Sequence, residues 1–528
     1  MRALSYLALW AAFGGCSSAP APTLQNQGGR VMRRPDPPPA PPVPPPALPS
    51  SRVVVQRSAS APLVTLRVVF QAGSADDPAG QEGATHVTAR LLAEGGTEAL
   101  TYEQFTRRLF PMAAQVTYAV DRDLVAFTGT VHRDHLAAFY PLFRDMLLAP
   151  RMAEADFARV RTQTRADLTL DLRGSSDEEL GKEVLQSVLY RNHPYGHPTL
   201  GTERGLDALT LDVVRAHRAR VFCAGRAWAG LSGAVDDTLV QTLREDLGRL
   251  PAACAPRVEL PAVSAPSGVH VVLVDKAQAS STAISVGLPL RITRADPEHA
   301  LVQFMTNHLG LHRQSVGVLY QTIREARGLN YGDYAYAEHF AQEGWERFPR
   351  AGLLRRQQYA SLWLRPVPPR NAHFALRAAL RAVEHALASE LPQEDVDRVR
   401  TFLGGYVSLY TQTGARRLGF AMDDAILGVP EASGAWADRM RAAWGPVTPA
   451  TLRAAAGRHL SARDVWVAII GPNAQELAAA LAQDAPSPIT YDSPKPPAVL
   501  AEDREIQAWP LRARPEDVTV VPLAEVFR

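Results

Sequence analysis

The chain is short of net charge, of cysteine and of long apolar runs, and each shortage removes a class of function. Its 56 basic and 54 acidic residues leave a formal charge of +2, so no strong overall field favours nucleic acid or acidic substrates. Three cysteines among 528 residues leave at most one internal disulfide once Cys16 is set aside. Cys223 and Cys254 could pair in an oxidising compartment if the fold brings them within reach, or stand as two unrelated buried thiols. Neither has a histidine and an acid in its neighbourhood that would mark a nucleophile. The first apolar run, LSYLALWAAF, is too short to cross a bilayer as a permanent helix.

What is there begins with that run. Met1 and Arg2 precede it and Gly14-Gly15-Cys16 close it, the pattern of a secretory signal. Phe13-Gly14-Gly15-Cys16 resembles a bacterial lipobox, which implies cleavage before Cys16 and lipidation of its thiol. The alternative is a plain signal cut around Ala19 to Ala21. Residues 1–15 then form a signal peptide and residues 16–51 a tether, because RRPDPPPAPPVPPPALPS favours extended polyproline II and carries too few apolar side chains to fold.

The 46% hydrophobic content of the whole chain is enough to bury sizeable cores, and periodic patterns begin beyond residue 51. Strand-like VVVQ and TLRVVFQAG lead to a helix-like HVTARLLAE, a strand-like LVAFTGTV, and helices through AAFYPLFRDMLL and DFARVRTQTRADL. The order returns as VHVVLVDK, TAISVGL, ALVQFMTNHLGL, YASLWLRPV, FALRAALRAVEHAL and EDVDRVRTFLGGY. DFARVRT parallels DVDRVRT, and Asp77-Pro78 precedes the first helix as Asp296-Pro297 precedes its counterpart. This is the pattern of a duplication. It predicts domains over 52–255 and 268–482, joined through PAACAPRVELPAVSAPSG, and an extended C-terminal arm over 483–528. A surplus in the second copy, residues 343–358, reads as a solvated surface excursion, with a contact loop as the alternative.

An inverted zinc motif, His-x-x-Glu-His, works because positions i, i+3 and i+4 share one helical face: two imidazoles hold the metal and the carboxylate between them activates its water. Here GATHVTARLLAEGGT keeps the frame, Gly83, His86 and the Gly96-Thr97 exit, and TYEQFTRRL, QVTYAVDRDLVAF and RNHPYGHPTLGT follow. With the duplicated halves, these segments resemble the M16 peptidases, the insulinase and pitrilysin family of clamshell zinc proteases, through most of residues 52–480. The resemblance implies an α+β fold: two homologous α/β domains, each a mixed sheet flanked by helices, forming half of a clamshell.

Carried over by position, the family's first zinc histidine falls on His86, its catalytic glutamate on Ala89, its second histidine on Arg90, and its third ligand near Ala166 or Asp167. Ala89 has no ionisable group. Arg90 stays protonated, offers no lone pair and repels a dication. Only Asp167 could coordinate anything, and one imidazole with one carboxylate falls short of the roughly three protein ligands of a working site. Glu94, four residues after Arg90, reads as its salt-bridge partner. Three other histidine pairs, His132 with His135, His193 with His197 and His308 with His312, read as surface or packed residues. Prolines break the helical spacing of the second pair, and no nearby carboxylate completes the third.

The later segment LYQTIREARGLNYGDYAY resembles the family's stretch in which an arginine and a tyrosine reach across to the substrate. The matching positions are Arg324 and Tyr331, with Gly328 placed to end the helix so that Tyr331 starts a strand. A guanidinium and a phenol can donate hydrogen bonds to a peptide carbonyl. Some bacterial M16 proteins are paired subunits, and this chain resembles the kind with a decayed zinc motif. The expectation is a chain inactive alone, with no zinc of its own, that supplies Arg324 and Tyr331 to a zinc-bearing M16 subunit acting on peptide. The alternatives are a peptide-binding or scaffold protein of the envelope and, third, an active metallopeptidase. The lipid anchor would place it on the periplasmic side of the cell envelope, with Ser17 leaning towards the outer membrane by analogy.

Overall fold

The valine-rich runs form strands because β-branched side chains pack well on a pleated surface. In the computed structural model, which describes residues 45–311, 314–340, 351, 352 and 354–528, they build two sheets. The first holds β1 (Val53–Arg57), β2 (Leu63–Phe70), β3 (Gln115–Val120), β4 (Val125–His132) and β5 (Ala227–Gly233), in the order β1-β5-β2-β4-β3. The second holds β6 (Val269–Asp275), β7 (Thr282–Leu290), β8 (Gly332–Tyr336), β9 (Gln358–Val367), β10 (Val465–Gly471) and β11 (Val518–Pro522), in the order β11-β6-β10-β7-β9-β8. Remove β11 and the two orders are the same. In each sheet the first and last strands of the repeat run parallel, β1 with β5 and β6 with β10, while the other neighbours within the repeat are antiparallel; the added β11 lies parallel to β6. The duplication read from local matches is thus a duplication of topology, and the fold is α+β with mixed sheets flanked by helices.

The halves share a core. The helix Asp177–Leu189, from the first half, lies across β7 and β10 of the second sheet. Its Leu180 and Leu185 join Val272, Val274, Ala283 and Ile470 in one buried cluster. In return the helix Gly414–Leu427, from the second half, packs on β1 and β5.

Three boundaries differ from the sequence reading. The folded body takes in the end of the predicted tether: Leu48 is 1% exposed, its N–H donates to the Arg244 carbonyl at 2.9 Å, and Arg244 Nε donates back to its carbonyl at 2.9 Å. One apolar residue amid prolines carries no periodic signal that could have announced this. The C-terminal arm is more than an extended strap, for it contains the helix Pro497–Ile506 as well as β11. The surplus segment is not a solvated excursion where it is described. Arg355 is 3% exposed, with Nε and an amino nitrogen on the two oxygens of Asp121 at 2.7 and 2.5 Å. Arg356 bonds Asp123 from Nε at 3.0 Å. An arginine can be buried where carboxylates meet it, and composition does not show where the carboxylates are. Residues 343–350 and 353 lie outside the described residues, as do Cys16, the signal segment and the tether up to residue 44.

Cys223 and Cys254 are bonded to each other, their Cα atoms 5.7 Å apart, which ties the linker between the halves to the first. Among the described residues no helix is long and apolar enough to cross a membrane.

Candidate functional site

The helix Ala84–Glu94 is set by what precedes it. Asp77 accepts the N–H groups of Gly83 and Thr85, both at 2.7 Å, so donors left open at a helix start are satisfied by one side chain. Gly83 has φ +105°, and a Cβ there would lie 2.8 Å from the Leu200 carbonyl oxygen. Both conditions require glycine. Burial pushes the Asp77 carboxyl up to about 7, against those hydrogen bonds. The hydroxyl of the same Thr85, Oγ1, meets His217 Nε2 at 2.8 Å, which locks the helix to the helix Leu211–Val221.

On the face of this helix where a metal would be held, the structure places a closed ion cluster. Arg90 Nε lies 3.1 Å from Glu94 Oε2, and its amino nitrogen lies 2.6 Å from Asp167 Oδ2. Arg159 adds a second cation 3.7 Å from Glu94. Burial opposes the Arg90 charge, but Tyr118, Asp167 and Glu94 outweigh it and hold the guanidinium more firmly protonated than usual. Ala89 is fully buried and contributes only a methyl group. His86 packs its ring 6.1 Å from that of Tyr118, and its Nδ1 is buried without a hydrogen-bond partner. Burial, then the charge of Arg90, bring its pKa down to about 4.

The sequence reading thus finds His86, Arg90 and Asp167 in one place, with Glu94 in contact with Arg90, but what they form is not a donor set for zinc. A permanent cation occupies the centre, and the one carboxylate at a ligand position is bonded to it. Zinc does not fit these residues. Among the described residues no group of three or more His, Cys, Asp or Glu side chains comes together in a form that could hold a metal ion.

The second predicted cluster is built differently. The chain turns through Tyr320–Glu325, and Gly328, at φ +68°, closes the turn by donating to the Arg324 carbonyl at 2.7 Å. Tyr331 therefore stands one residue before β8 and is 72% exposed. Arg324 bonds the Tyr331 carbonyl at 2.8 Å. Its guanidinium carbon lies 4.6 Å from the centre of the Tyr331 ring and 5.1 Å from that of Tyr320. No carboxylate among the described residues pairs with it. Beneath the pair Asp333 is fully buried, bonded to Asn330, with Oδ2 unpartnered. Burial pushes its carboxyl up to about 7. Sequence reasoning missed Tyr320 and Asp333; the i, i+4 spacing of Tyr320 and Arg324 was the signal available for the first. No hydrogen bond, ion pair or ring contact among the described residues joins this cluster to that of His86 and Arg90.

The other paired histidines make packing or backbone contacts where they are described. His193 Nδ1 accepts the Tyr195 N–H at 3.0 Å, and His197 Nδ1 bonds the Pro198 carbonyl at 2.9 Å. The His132 and His135 rings stack edgewise at 6.4 Å. His308 is 6% exposed, and its sequence partner His312 lies outside the described residues.

Comparison with known proteins bears on the family and the fold. Residues 52–203 match the family model described as insulinase (peptidase family M16), and residues 208–403 match that of the peptidase M16 inactive domain. An uncharacterized zinc protease of Mycobacterium leprae is 26% identical over 306 residues, which span 56% of this chain and 65% of that protein. A Helicobacter pylori protein called non-peptidase homolog YmxG is 23% identical, over 72% of this chain and 82% of its own length. Among solved structures, a peptidase M16 inactive domain from Pseudomonas fluorescens superposes with a TM-score of 0.69 at 19% identity, covering 80% of this chain and 95% of that one.

Proposed function

Since the chain belongs to peptidase family M16, we propose that it is a non-catalytic subunit that joins a separate zinc-bearing M16 chain and lends it Arg324 and Tyr331 to hold peptide substrate. The observation that carries this reading is the difference between two arginines: Arg90 is neutralised by Glu94 and Asp167, whereas Arg324 keeps its donors on an exposed tyrosine. A guanidinium without an acid partner can donate to a peptide carbonyl, and the Tyr331 hydroxyl can do the same. The same reading keeps the protein in the cell envelope, on the periplasmic side and by analogy at the outer membrane, with Cys16 lipidated.

The test is reconstitution with an M16 chain that bears an intact zinc motif, such as one encoded by a neighbouring reading frame. The protein alone should carry no stoichiometric zinc and cleave no peptide, and the mixture should cleave. Arg324→Met and Tyr331→Phe should each abolish most of that cleavage. Chelator-sensitive activity of the lone chain would refute the non-catalytic reading. Full cleavage with both variants would leave a peptide-binding or scaffold role in its place.

A further inference from the structure

We propose that the C-terminal segment, which lies beyond the residues matched to the family, braces the Arg324–Tyr331 loop, with Arg327 and Asp503 as positioning residues. The functional half of this proposal rests on the role given above to Arg324 and Tyr331. The structural half does not.

Arg327 follows Arg324 by three residues and faces the opposite way. It is 2% exposed. Its Nε donates to Asp503 Oδ1 at 2.8 Å, and one amino nitrogen donates to Glu502 Oε2 at 2.8 Å, both on the helix Pro497–Ile506. The other amino nitrogen donates to the Thr322 carbonyl at 2.7 Å. One side chain therefore ties the start of the turn to its end and fastens both to a helix from 170 or more residues away.

The acids are themselves held. Asp503 Oδ2 accepts the Tyr491 hydroxyl at 2.8 Å, and Glu502 Oε1 accepts from Arg381 at 3.0 Å. Asp503 is 5% exposed. In such a setting the guanidinium has little freedom, because every rotation would leave a buried charge unpaired. Leu329, 4% exposed, pins the far side of the loop in the core. Between these two anchors the backbone presents Arg324 and Tyr331 to solvent. Positioning of this kind matters for binding because a loop already fixed in its productive shape loses less entropy when ligand arrives.

The experiment uses the full chain and two readouts. Amide hydrogen exchange over residues 324–332 reports the brace without any partner. Arg327→Met and Asp503→Asn should each speed it by about tenfold, with β2 and β4 of the first half unchanged, and Arg327→Lys should restore part of the protection. Binding of a fluorescein-labelled casein peptide, followed by anisotropy, reports positioning. The brace variants should weaken it several-fold and Arg324→Met should remove it. Unchanged exchange over residues 324–332 in both Arg327→Met and Asp503→Asn overturns the proposal whatever the peptide does. Faster exchange with undiminished affinity, while Arg324→Met removes binding, overturns the positioning role. If Arg324→Met leaves peptide binding intact, the proposed function fails, and the exchange data still decide the brace.

Discussion

Two arginines, one in each half, stand in opposite electrostatic conditions. Arg90 lies between Glu94 and Asp167 on the helix whose frame matches a metal motif, and its charge is used up inside the protein. Arg324 has two aromatic rings and a carbonyl for company and forms no ion pair among the described residues, its charge acting on the buried Asp333 without contact. The same side chain thus closes one site and leaves the other open to a ligand. A motif with the wrong residues is not an empty motif: in the first half a guanidinium stands where the resemblance puts a metal histidine, and Asp167, near where it puts the third ligand, is paired with that guanidinium.

The joint that makes the halves one body gives the largest predicted effect. Arg355 and Asp121 pair across it with almost no exposure, so Arg355→Met should cost about 3–5 kcal/mol by leaving a buried carboxylate unpaired, read from urea denaturation. Asp121 is held down at about 2, burial working against ionisation and the Arg355 charge with its hydrogen bonds outweighing it. An unchanged midpoint would mean that the halves are stable separately and that the comparison concerns two independent domains.

Arg90→Met should cost less, about 1–3 kcal/mol, since Asp167 is 37% exposed and water can serve it. Restoring the frame with Ala89→Glu and Arg90→His together should let zinc bind, with His86, the introduced imidazole and the released Asp167 as donors, measured by metal analysis after gel filtration. No gain of metal would show that the surrounding geometry, and not only the two residues, has moved away from coordination.

The pH dependence separates the clusters further. The folded pKa of His86, about 4, lies below the ordinary 6.5. Between those values the unfolded chain binds the proton and the folded one does not, so this group adds stability as pH rises from about 4 to 6.5 and loses it on acidification. His86→Asn should flatten that part of the stability profile. Asp333 has the opposite sign: its folded pKa of about 7 is raised from 3.8 by burial, so its contribution falls as pH rises through that window, and Asp333→Asn should remove the decline.

The smallest stability effect is expected where the functional effect is greatest. Arg324→Met should change the unfolding free energy by no more than about 1 kcal/mol, as for a half-buried side chain that loses one hydrogen bond, while removing cleavage in the reconstituted mixture. A large loss of stability would erase the distinction between the two arginines.

Much of the fold was legible because duplication repeats its own signals. DFARVRT and DVDRVRT fall on the corresponding helices Glu154–Ala166 and Gln393–Tyr410, and the valine-rich runs became strands near the residues predicted. Strands β3, β5 and β10 were passed over; QVTYAV alternates polar and apolar residues too briefly to stand out beside its neighbours. At the site, the i, i+4 pairing of Arg90 with Glu94 could be read because helical spacing alone brings such residues together. The bond from Arg90 to Asp167 joins residues 77 positions apart; sequence suggested it only through the resemblance, which puts metal ligands at or near both positions.

By itself the sequence determined the repeat, the absence of an ionisable group at Ala89 and the permanent charge at Arg90, because side-chain chemistry and local period are properties of the residues. Only the tertiary structure decided which carboxylates neutralise that charge, that Arg355 is buried against Asp121, and that Arg327 is fastened to Asp503. Those outcomes depend on which distant groups share a low-dielectric interior, and Coulomb interactions there are set by distance through space, not by separation along the chain.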